Sequence, residues 1–453
     1  MPWQSAVIVR HMKAFFKKRG VAPKLIALDI VLIANAFIWY LLAFNIIREL
    51  IPDLGANSDA LLIWGVNFVG IALSGVLGSF ISSKLKKRFK FIYFWTLAGI
   101  FLSLIPLISN VTTIPELVAV SAIFGVYFGL GMPATMAYFT ASTEIEHRSK
   151  ISGMTFLVIG LAFFTLSGIG TGNIILASGI LTVVRIVGLS LLFLLKIDEK
   201  TCQESDEVKF TEVLTNRSFI LYFVPWLMFA LVNNITIPVA IKLFPQGEEF
   251  VRLSTIFENI LIAAFAVVSG FLADIFGRKR LTITGFAMLG IGYAVLGLAP
   301  SIAGWYFYTI VDGIAWGTFY TILLFTIWGD LAQGRKSEKY YVIGALPFLF
   351  SNLPRLWFAS SVAEIPETAI FSFASVFLFL AVLPLIYAPE TLPDKVMKDR
   401  ELKNYIDKAQ KEAEKAQNKE NEKDQKENAN DGVEIEAGQE DFEEVLKEAE
   451  KYY

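Results

Sequence analysis

Long uncharged hydrophobic runs alternate with short polar loops over most of the chain. Each run holds about 20 residues, the length that an α-helix needs to cross a hydrocarbon core of about 30 Å. A soluble fold would have to bury so many all-round hydrophobic helices that domain-size limits argue against it. The twelve runs have the approximate bounds 25–47, 60–83, 91–109, 117–140, 151–171, 173–195, 218–241, 253–274, 281–299, 303–328, 341–362 and 368–388. The pattern predicts an all-α membrane protein with twelve transmembrane helices.

Composition agrees with this prediction and excludes several kinds of chemical site. Of the 453 residues, 55% are hydrophobic, and the mean hydropathy of +0.55 exceeds that of a typical soluble protein. The single cysteine, Cys202, excludes an intramolecular disulfide and a thiol-based metal site. The sequence has no nucleotide-binding loop, metal cluster or catalytic triad. We therefore expect no enzymatic activity, no cofactor, no metal and no nucleic-acid partner.

Basic residues fall on alternate loops. The segment before the first helix and the loops after helices 2, 4, 6, 8 and 10 together hold 23 Lys and Arg residues. The opposite loops hold only Arg48, Lys242 and Arg252. Basic loops stay on the cytoplasmic side, and one spurious helix would move every later loop to the wrong side. The pattern predicts an even number of helices in the cell membrane, with both termini cytoplasmic.

A polar connector divides the chain into two halves of six helices. We assign residues 1–24 to a cytoplasmic N-terminal segment, 25–195 to the N-terminal six-helix bundle, 196–217 to the connector, 218–390 to the C-terminal six-helix bundle, and 391–453 to a charged cytoplasmic tail, partly helical or disordered. The tail is rich in Glu, Lys, Asn and Gln, a composition that buries too little apolar surface to fold. We favour a solvated tail over a partner-binding segment.

The two halves resemble each other weakly but in order. The matching pairs are Gly75 with Gly270 and Leu77 with Leu272 at an offset of 195 residues, and Gly125 with Gly313 and Gly129 with Gly317 at an offset of 188 residues. Both sets fall at corresponding places of the two halves. Duplicated helical units of this kind are common in transporters and predict two pseudo-symmetric bundles.

The turn between helices 8 and 9 carries the most specific motif. It reads Gly270-Phe-Leu-Ala-Asp274-Ile-Phe-Gly277-Arg278-Lys279-Arg280-Leu281. Gly270 permits close helix packing, Gly277 permits a tight turn, and the Arg-Lys pair anchors the turn at the headgroups. This stretch resembles the signature of the major facilitator superfamily. Pro389-Glu390-Thr391 after the last helix and Arg148 after helix 4 agree with the same family.

The resemblance implies a transporter whose halves latch together at the cytoplasmic side. We assign the gating motif to Gly270, Asp274, Gly277, Arg278, Lys279 and Arg148. An acid is favourable at the N-terminus of a helix, so we expect Asp274 to face the start of helix 5 near Ser149 to Gly153 when that side is closed. Two features depart from the family: Ser79 stands where the first-half aspartate belongs, and helix 5 lacks the Gly-Pro pattern of many drug-proton antiporters. The second departure disfavours an antiporter.

Polar side chains inside the spans are the best site candidates, because a charge at mid-bilayer costs a few kcal/mol. The resemblance implies that helices 1, 4, 7 and 10 line a central cavity. We assign substrate binding to Asn35, Asn233, Asn234, Asp312, Trp316 and Arg355. Pro238 follows the asparagine pair and predicts a broken helix 7, a place where transporters bind substrates.

Several of these assignments leave alternatives open. Asp312 forms either a buried ion pair with Arg355 or a carboxylate that couples transport to a proton or cation. The asparagine pair on helix 7 either binds substrate or joins helices through its amides. Tyr127, Tyr138, Trp316 and Tyr320 either stack on a substrate or only pack. Arg185, on peripheral helix 6, is assigned a structural role.

We therefore expect a monomeric secondary transporter in the lipid bilayer. It would move a small polar solute, such as a sugar, an organic acid or a similar metabolite, by alternating access, with a proton or ion as a candidate co-transported partner in symport. The alternative is a transport-dead sensor or receptor of the same fold. A channel is a third option, which would carry flux without saturation.

Overall fold

The computed structural model describes residues 23–51, 57–85, 88–108, 111, 113–170, 173–195, 206–244, 247–351, 353–354, 356–357, 365–393 and 398. Within these ranges the chain is helical and contains no β-strand. The predicted N-terminal segment before Pro23 lies outside them. The predicted tail lies outside them as well, except for its first three residues and Lys398.

Twelve helices of more than ten residues lie in the described ranges, in the predicted order. They are α1 Pro23–Leu50, α2 Asn57–Lys84, α3 Arg88–Leu102, α4 Ile114–Ser142, α5 Arg148–Gly170, α6 Ile174–Leu195, α7 Arg217–Leu243, α8 Gly247–Phe276, α9 Arg278–Leu298, α10 Ile302–Leu331, α11 Glu338–Phe350 and α12 Glu367–Tyr387. A four-residue helix, Ile105–Ile108, continues α3, and a short connector helix, Phe210–Thr215, precedes α7.

Eleven of these helices are long and apolar enough to cross a membrane. The exception is α11, which has 13 residues. The sequence predicted a span over 341–362 here, and residues 358–364 lie outside the described ranges. The fold class predicted from the hydrophobic pattern, an all-α membrane protein, is confirmed.

Two helices near the centre are interrupted. In α7, a 3₁₀ turn at Asn233–Ile235 separates two α-helical parts. Pro238 explains its place, because a proline ring clashes with the carbonyl group four residues earlier, here that of Asn234. In α10, a π-helical segment, Tyr320–Thr326, separates the two α-helical parts. Its Thr326 hydroxyl donates a hydrogen bond of 2.7 Å to the carbonyl oxygen of Thr321.

Burial separates central helices from peripheral ones. In the most apolar stretch of each helix, 83% of the residues of α10 are buried, 78% of those of α1 and 67% of those of α4. The corresponding value for α6 is 22%, so this helix faces outward. The central place of α1, α4 and α10 agrees with the lining helices that the resemblance implies.

One end of the helix bundle carries the basic loops. These are the loops after α2, α4, α6, α8 and α10, and we call this end the basic end. The C-terminal end of α10 and the N-terminal end of α5 meet there, where the Thr326 hydroxyl lies 3.1 Å from the Ser152 hydroxyl. Contacts of this kind join the two halves of the molecule at the basic end.

Candidate functional site

A cavity of about 270 Å³ lies between the two halves. The first half contributes Tyr40, Leu41 and Phe44 of α1, and the second half contributes side chains of α7, α8, α10 and α11. α8 begins at Gly247, at the end opposite the basic loops, and its lining residues fall within 251–262. The cavity therefore lies in the part of the bundle away from the basic end.

Two carboxyl groups face this cavity from neighbouring helices. Glu258 of α8 and Asp312 of α10 both line it and are close enough to interact directly. Asp312 is only 2% exposed. Its Oδ2 accepts a hydrogen bond of 3.1 Å from the Tyr308 hydroxyl, whereas its Oδ1 has no partner among the described residues. We call Glu258 and Asp312 the carboxyl pair.

Asp312 was among the candidates predicted from the sequence, whereas Glu258 was not. The available signal was an acid inside an otherwise uncharged run. The close approach of α8 and α10 brings the two acids together: a Cβ atom on Gly313 would lie 2.6 Å from that of Leu261. Small residues of this kind let membrane helices approach closely.

The broken part of α7 contributes amide and carbonyl groups. The backbone oxygen of Asn233 accepts a long hydrogen bond of 3.5 Å from the Tyr293 hydroxyl, which lies 3.0 Å from the Tyr308 hydroxyl. The Asn234 amide donates to the backbone oxygen of Ser351 at 3.0 Å. The first contact satisfies a carbonyl of the 3₁₀ turn, and the second satisfies the carbonyl of Ser351 at the C-terminal end of α11. Both asparagines line the cavity, so the structure brings them together with Asp312.

Aromatic rings form much of the remaining wall. The rings of Trp316 and Tyr320 lie 4.7 Å apart, and Tyr320 meets Phe348 edge to face at 5.4 Å. On the opposite wall Tyr40 stacks on Phe128 at 4.2 Å. No Lys, Arg or His occurs among the described residues that line the cavity. The wall thus combines aromatic faces with two acidic groups.

The structure does not place Asn35 with the other candidates, which corrects its assignment to the cavity. Its amide nitrogen donates to the backbone oxygen of Val184 at 2.6 Å, and its Oδ1 accepts from Arg185 at 2.7 Å. Both partners belong to α6. The reason is that the buried Arg185 needs an acceptor in a medium without water, and Asn35 supplies it.

Arg185 lies in a cage of aromatic rings. Its guanidinium carbon lies 4.5 Å from the ring of Trp95, 5.0 Å from that of Trp39 and 5.2 Å from that of Tyr127. The Tyr127 hydroxyl donates to the backbone oxygen of Trp95 at 2.8 Å. This geometry agrees with a structural role for Arg185 and with packing rather than substrate stacking for Tyr127.

The last candidate, Arg355, lies outside the described residues. The proposed ion pair between Arg355 and Asp312 is therefore not tested. The cavity contacts of Asp312 come instead from Glu258 and Tyr308.

The gating motif lies at the basic end, at the start of α5. Oδ2 of Asp274 accepts a hydrogen bond of 3.0 Å from the backbone nitrogen of Lys150, the contact expected for a closed basic end. A Cβ atom on Gly270 would lie 2.5 Å from the backbone oxygen of Ser149, so only glycine allows this approach. Gly277 adopts a φ of +98°, which favours glycine in the turn.

Asp330, near the end of α10, connects the motif to the first half. Its carboxylate lies 2.5 Å from an Arg148 nitrogen and 3.1 Å from the Arg278 Nε, and it accepts a hydrogen bond of 3.1 Å from the Thr391 hydroxyl. Arg278 also lies 3.2 Å from Asp274. The side chains of this group are at most 7% exposed. We call Arg148, Asp274, Arg278 and Asp330 the basic-end network.

Asp330 was missed by the sequence analysis. The signal that could have identified Asp330 was an acid at the end of a helix that is followed by a basic loop. The Pro389-Glu390-Thr391 stretch also belongs here, because Glu390 accepts hydrogen bonds of 3.0 and 3.1 Å from the backbone nitrogens of Arg278 and Lys279. Glu390 therefore caps the N-terminus of α9.

A second ion pair joins the halves on the side where Ser79 replaces the family aspartate. The Ser79 hydroxyl donates to the backbone oxygen of Val76 in its own helix, at 2.7 Å. Nearby, Arg88 of α3 lies 2.6 Å from Glu338, the first residue of α11, with side-chain exposures of 9% and 1%. Here the acid lies on α11 and the base on the first half.

Comparison with known proteins agrees with this architecture. The family model described as Major Facilitator Superfamily matches residues 28–323. Among curated proteins, the chain is 32% identical over 74 residues to the multidrug resistance protein Stp of Mycobacterium tuberculosis (strain CDC 1551 / Oshkosh). That match covers 16% of this chain and only 14% of the length of the relative.

Solved structures with the same fold cover most of the chain. The proton:xylose symporter XylE matches with a TM-score of 0.61 and 16% identity over 81% of this chain and 96% of its own. The human organic anion transporter MFSD10 matches with a TM-score of 0.59 and 14% identity over 80% and 100% of the two chains. A bacterial homologue of the iron transporter ferroportin matches with a TM-score of 0.60 and 14% identity over 80% and 98%.

Proposed function

The chain belongs to the major facilitator superfamily, and we propose that it is a proton-coupled secondary transporter that moves a small solute by alternating access. The observation that carries this proposal is the carboxyl pair, Glu258 and Asp312, in a cavity between the two halves. The volume of about 270 Å³ suits a small molecule. A proton gradient is the driving force that such a pair can use.

Two buried carboxylates at short range repel each other, and a shared proton removes that repulsion. Asp312 is faced by Glu258 from α8 and by Tyr308 from its own helix, while Tyr293 of α9 and Tyr320 lie close behind. No basic group faces it among the described lining residues. The pair can therefore hold one proton in its resting form and a second when solute leaves.

Alternating access requires that one end close while the cavity is reached from the other. The basic-end network closes its end through the buried ion pair of Arg148 with Asp330, which joins the two halves. We assign the basic end to the cytoplasm because basic loops stay on that side. The arrangement then corresponds to a transporter with its cytoplasmic side shut.

Proteoliposomes with a pH gradient test the proposal. We expect wild-type protein to accumulate at least one solute from a panel of xylose, lactate and benzyltrimethylammonium, and to lose that accumulation when the gradient is collapsed. Asp312→Asn leaves Glu258 without a neighbouring acid to repel it, so no proton is required. We expect this variant to exchange solute downhill but not to accumulate it.

The matched control is Glu249→Gln, which removes an exposed carboxylate from the same helix as Glu258. It should accumulate solute as the wild type does. Accumulation by Asp312→Asn that still follows the pH gradient would contradict the coupling role. Saturable binding without accumulation of any solute would instead favour the sensor, and flux without saturation or counterflow would favour a channel.

A further inference from the structure

The charge of the cavity is one-sided. The carboxyl pair is its acidic component, and no Lys, Arg or His occurs among its described lining residues. Asp312 is nearly fully buried, and its Oδ1 has no partner among the described residues although the residue lines the cavity. Glu258 supplies a donor only while it carries the shared proton, and without that donor the buried acceptor costs free energy. The cavity is therefore built to receive a donor that carries positive charge.

The rings on the wall supply a second attraction for a cation. Trp316, Tyr320 and Tyr308 line the cavity on the same helix as Asp312, and Tyr40 and Phe348 line it from α1 and α11. The faces of aromatic rings attract cations electrostatically, and the attraction is strongest where water is excluded. The same rings bury apolar groups. This combination suits a molecule that is both charged and apolar.

Building on the proposed function, we propose that the transported solute is a small organic monocation, an ammonium group attached to an apolar body. The ammonium group faces the carboxyl pair, and the apolar body packs against the rings of Trp316 and Tyr320. The asparagine amides of α7 lie at the edge of this arrangement and accept or donate hydrogen bonds to polar substituents.

Other solutes fit the cavity less well. An organic acid would meet two acidic groups and, among the described lining residues, no basic partner, so repulsion disfavours it. A bare divalent cation prefers six or more oxygen ligands or a set of His, Cys and acidic side chains. Among the described residues, no group of three or more His, Cys, Asp or Glu could hold a metal ion. A sugar carries no charge, so it would gain no electrostatic attraction from the carboxyl pair.

The charges balance as an exchange, the direction of coupling that the sequence of helix 5 had disfavoured. With one proton, the carboxyl pair carries one negative charge and holds one monocation. When a second proton binds, the pair is neutral and the cation leaves, so one proton is exchanged for one cation. Among the described residues, the titratable groups near Asp312 in this step are Glu258, Tyr308, Tyr293 and Tyr320. Cation binding should therefore weaken as pH falls.

Binding of radiolabelled benzyltrimethylammonium to the full chain in nanodiscs tests the inference. Benzyl alcohol and phenylacetate serve as neutral and anionic competitors of similar size. We expect unlabelled cation to displace the label at concentrations at least about tenfold lower than either competitor. Asp312→Asn and Glu258→Gln should each weaken binding about tenfold, and the double variant should abolish it. The control Glu249→Gln should bind like the wild type.

The rings are tested separately. Trp316→Leu should weaken binding of the cation about three- to tenfold, because it removes one ring face. Trp357→Leu is the matched control, since Trp357 is 51% exposed and lies outside the cavity. Equal loss in the two tryptophan variants would contradict the ring contribution.

Counterflow in proteoliposomes separates the two proposals. Saturable counterflow of xylose or phenylacetate without binding of the cation would overturn the organic-cation assignment and leave the transporter intact. Carboxyl-dependent binding of the cation without counterflow of any probe would support the cation site and overturn transport. No binding of benzyltrimethylammonium, or binding indifferent to both carboxyl variants, would overturn the cation site.

Discussion

Arg185 illustrates how a membrane protein holds a charge that has no acidic partner in the part of the chain that the structure describes. Its side chain is fully buried, and three ring faces and the Asn35 amide surround the guanidinium. The planar, delocalised guanidinium stacks on rings and is more weakly hydrated than an ammonium group. Burial of this cation is therefore tolerated where a lysine would be less stable.

We expect Arg185→Lys to lower the free energy of unfolding by about 2 kcal/mol, because the compact ammonium cannot contact three rings. The measurement is the Tm of the detergent-solubilised protein. The control is Arg252→Lys, whose side chain is 67% exposed. Equal Tm values for Arg185→Lys and the wild type would show that the planar shape is not needed.

Sequence reasoning selected residues that line the cavity where a polar group had one available direction. Asp312 and the asparagine pair lie on α10 and α7, and both helices line the cavity. Asn35 failed because α1 is apolar on every side, so its sequence does not indicate which face meets the cavity. Asp330 was missed because its charged partners, Arg148 and Arg278, lie far from it in the sequence. Such a pairing depends on tertiary contacts that no local pattern contains.

At the scale of helices, the hydrophobic pattern was sufficient to predict the order of the helices and their approximate positions along the chain. A membrane leaves a chain few alternatives to helices, since each backbone polar group must be satisfied within the segment. The interruptions of α7 and α10 were harder to predict from the sequence. Pro238 indicated a break in α7, whereas the residue types of Tyr320–Thr326 do not predict a π-helical segment. Packing against neighbouring helices determines that segment.

Close packing of α2 against α4 gives a prediction for glycine. A Cβ atom on Gly78 would lie 2.1 Å from the backbone oxygen of Leu130, which cannot move without its helix. Gly78→Ala should therefore separate the helices and cost about 1–3 kcal/mol. Gly65→Ala on the same helix is the control, because nothing lies within 4 Å of its added Cβ. Alanine favours a helix by up to about 1 kcal/mol over glycine.

Thermal unfolding of the two glycine variants in the same detergent makes the comparison. The predicted order of Tm is Gly65→Ala at or above the wild type and Gly78→Ala below it. The opposite order would mean that α2 and α4 can separate at little cost and that their close approach is incidental.

The connector before α7 provides a prediction for pH. A hydrogen bond of 2.9 Å from Lys339 lowers the pKa of the Glu207 carboxyl below its ordinary value of 4.5. A hydrogen bond from Arg335 likewise lowers the pKa of Glu212. A carboxyl with a lowered pKa stabilises docking above its unfolded pKa, and this contribution is lost as pH falls through the folded value.

We therefore expect the connector to remain docked at neutral pH and to loosen below about pH 4. Hydrogen exchange of the connector helix, corrected for intrinsic rates, measures this change. Both carboxylates are largely solvated, so the effect is small. In the double variant Glu207→Gln and Glu212→Gln, exchange should already be faster at pH 7 and depend little on pH. Identical pH profiles for this variant and the wild type would contradict the role of these pairs.

For the molecule as a whole, the proposed alternating access couples opening of the cavity to closure of the basic end. In that proposal the network stabilises the state closed at the basic end, because its Arg148–Asp330 ion pair joins buried charges of the two halves. A two-state molecule shifts its populations when an interaction present in only one state is removed. Asp330 is such an interaction, because its Arg148 partner belongs to the first half.

We expect Asp330→Asn to favour opening of the basic end. Removing one partner of a buried ion pair costs about 3–5 kcal/mol in the closed state, and opening relieves this cost by hydrating Arg148. A shift of even about 2–3 kcal/mol changes the ratio of states roughly 30- to 100-fold. Glu212→Gln is the control, because it removes a partly exposed pair at the same end, where such pairs contribute little.

Thiol labelling of single cysteines, introduced in a Cys202→Ser background, measures access at both ends of the molecule. Ser152→Cys reports the closed interface of the basic end, where Ser152 is fully buried, and Asn259→Cys reports the mouth of the cavity. If the two ends alternate, Asp330→Asn raises thiol labelling at 152 and lowers it at 259. General unfolding would raise labelling at both positions. Labelling unchanged at 152 would mean that the basic-end network does not hold that end closed, because the loss of its central carboxylate would then have no effect on access.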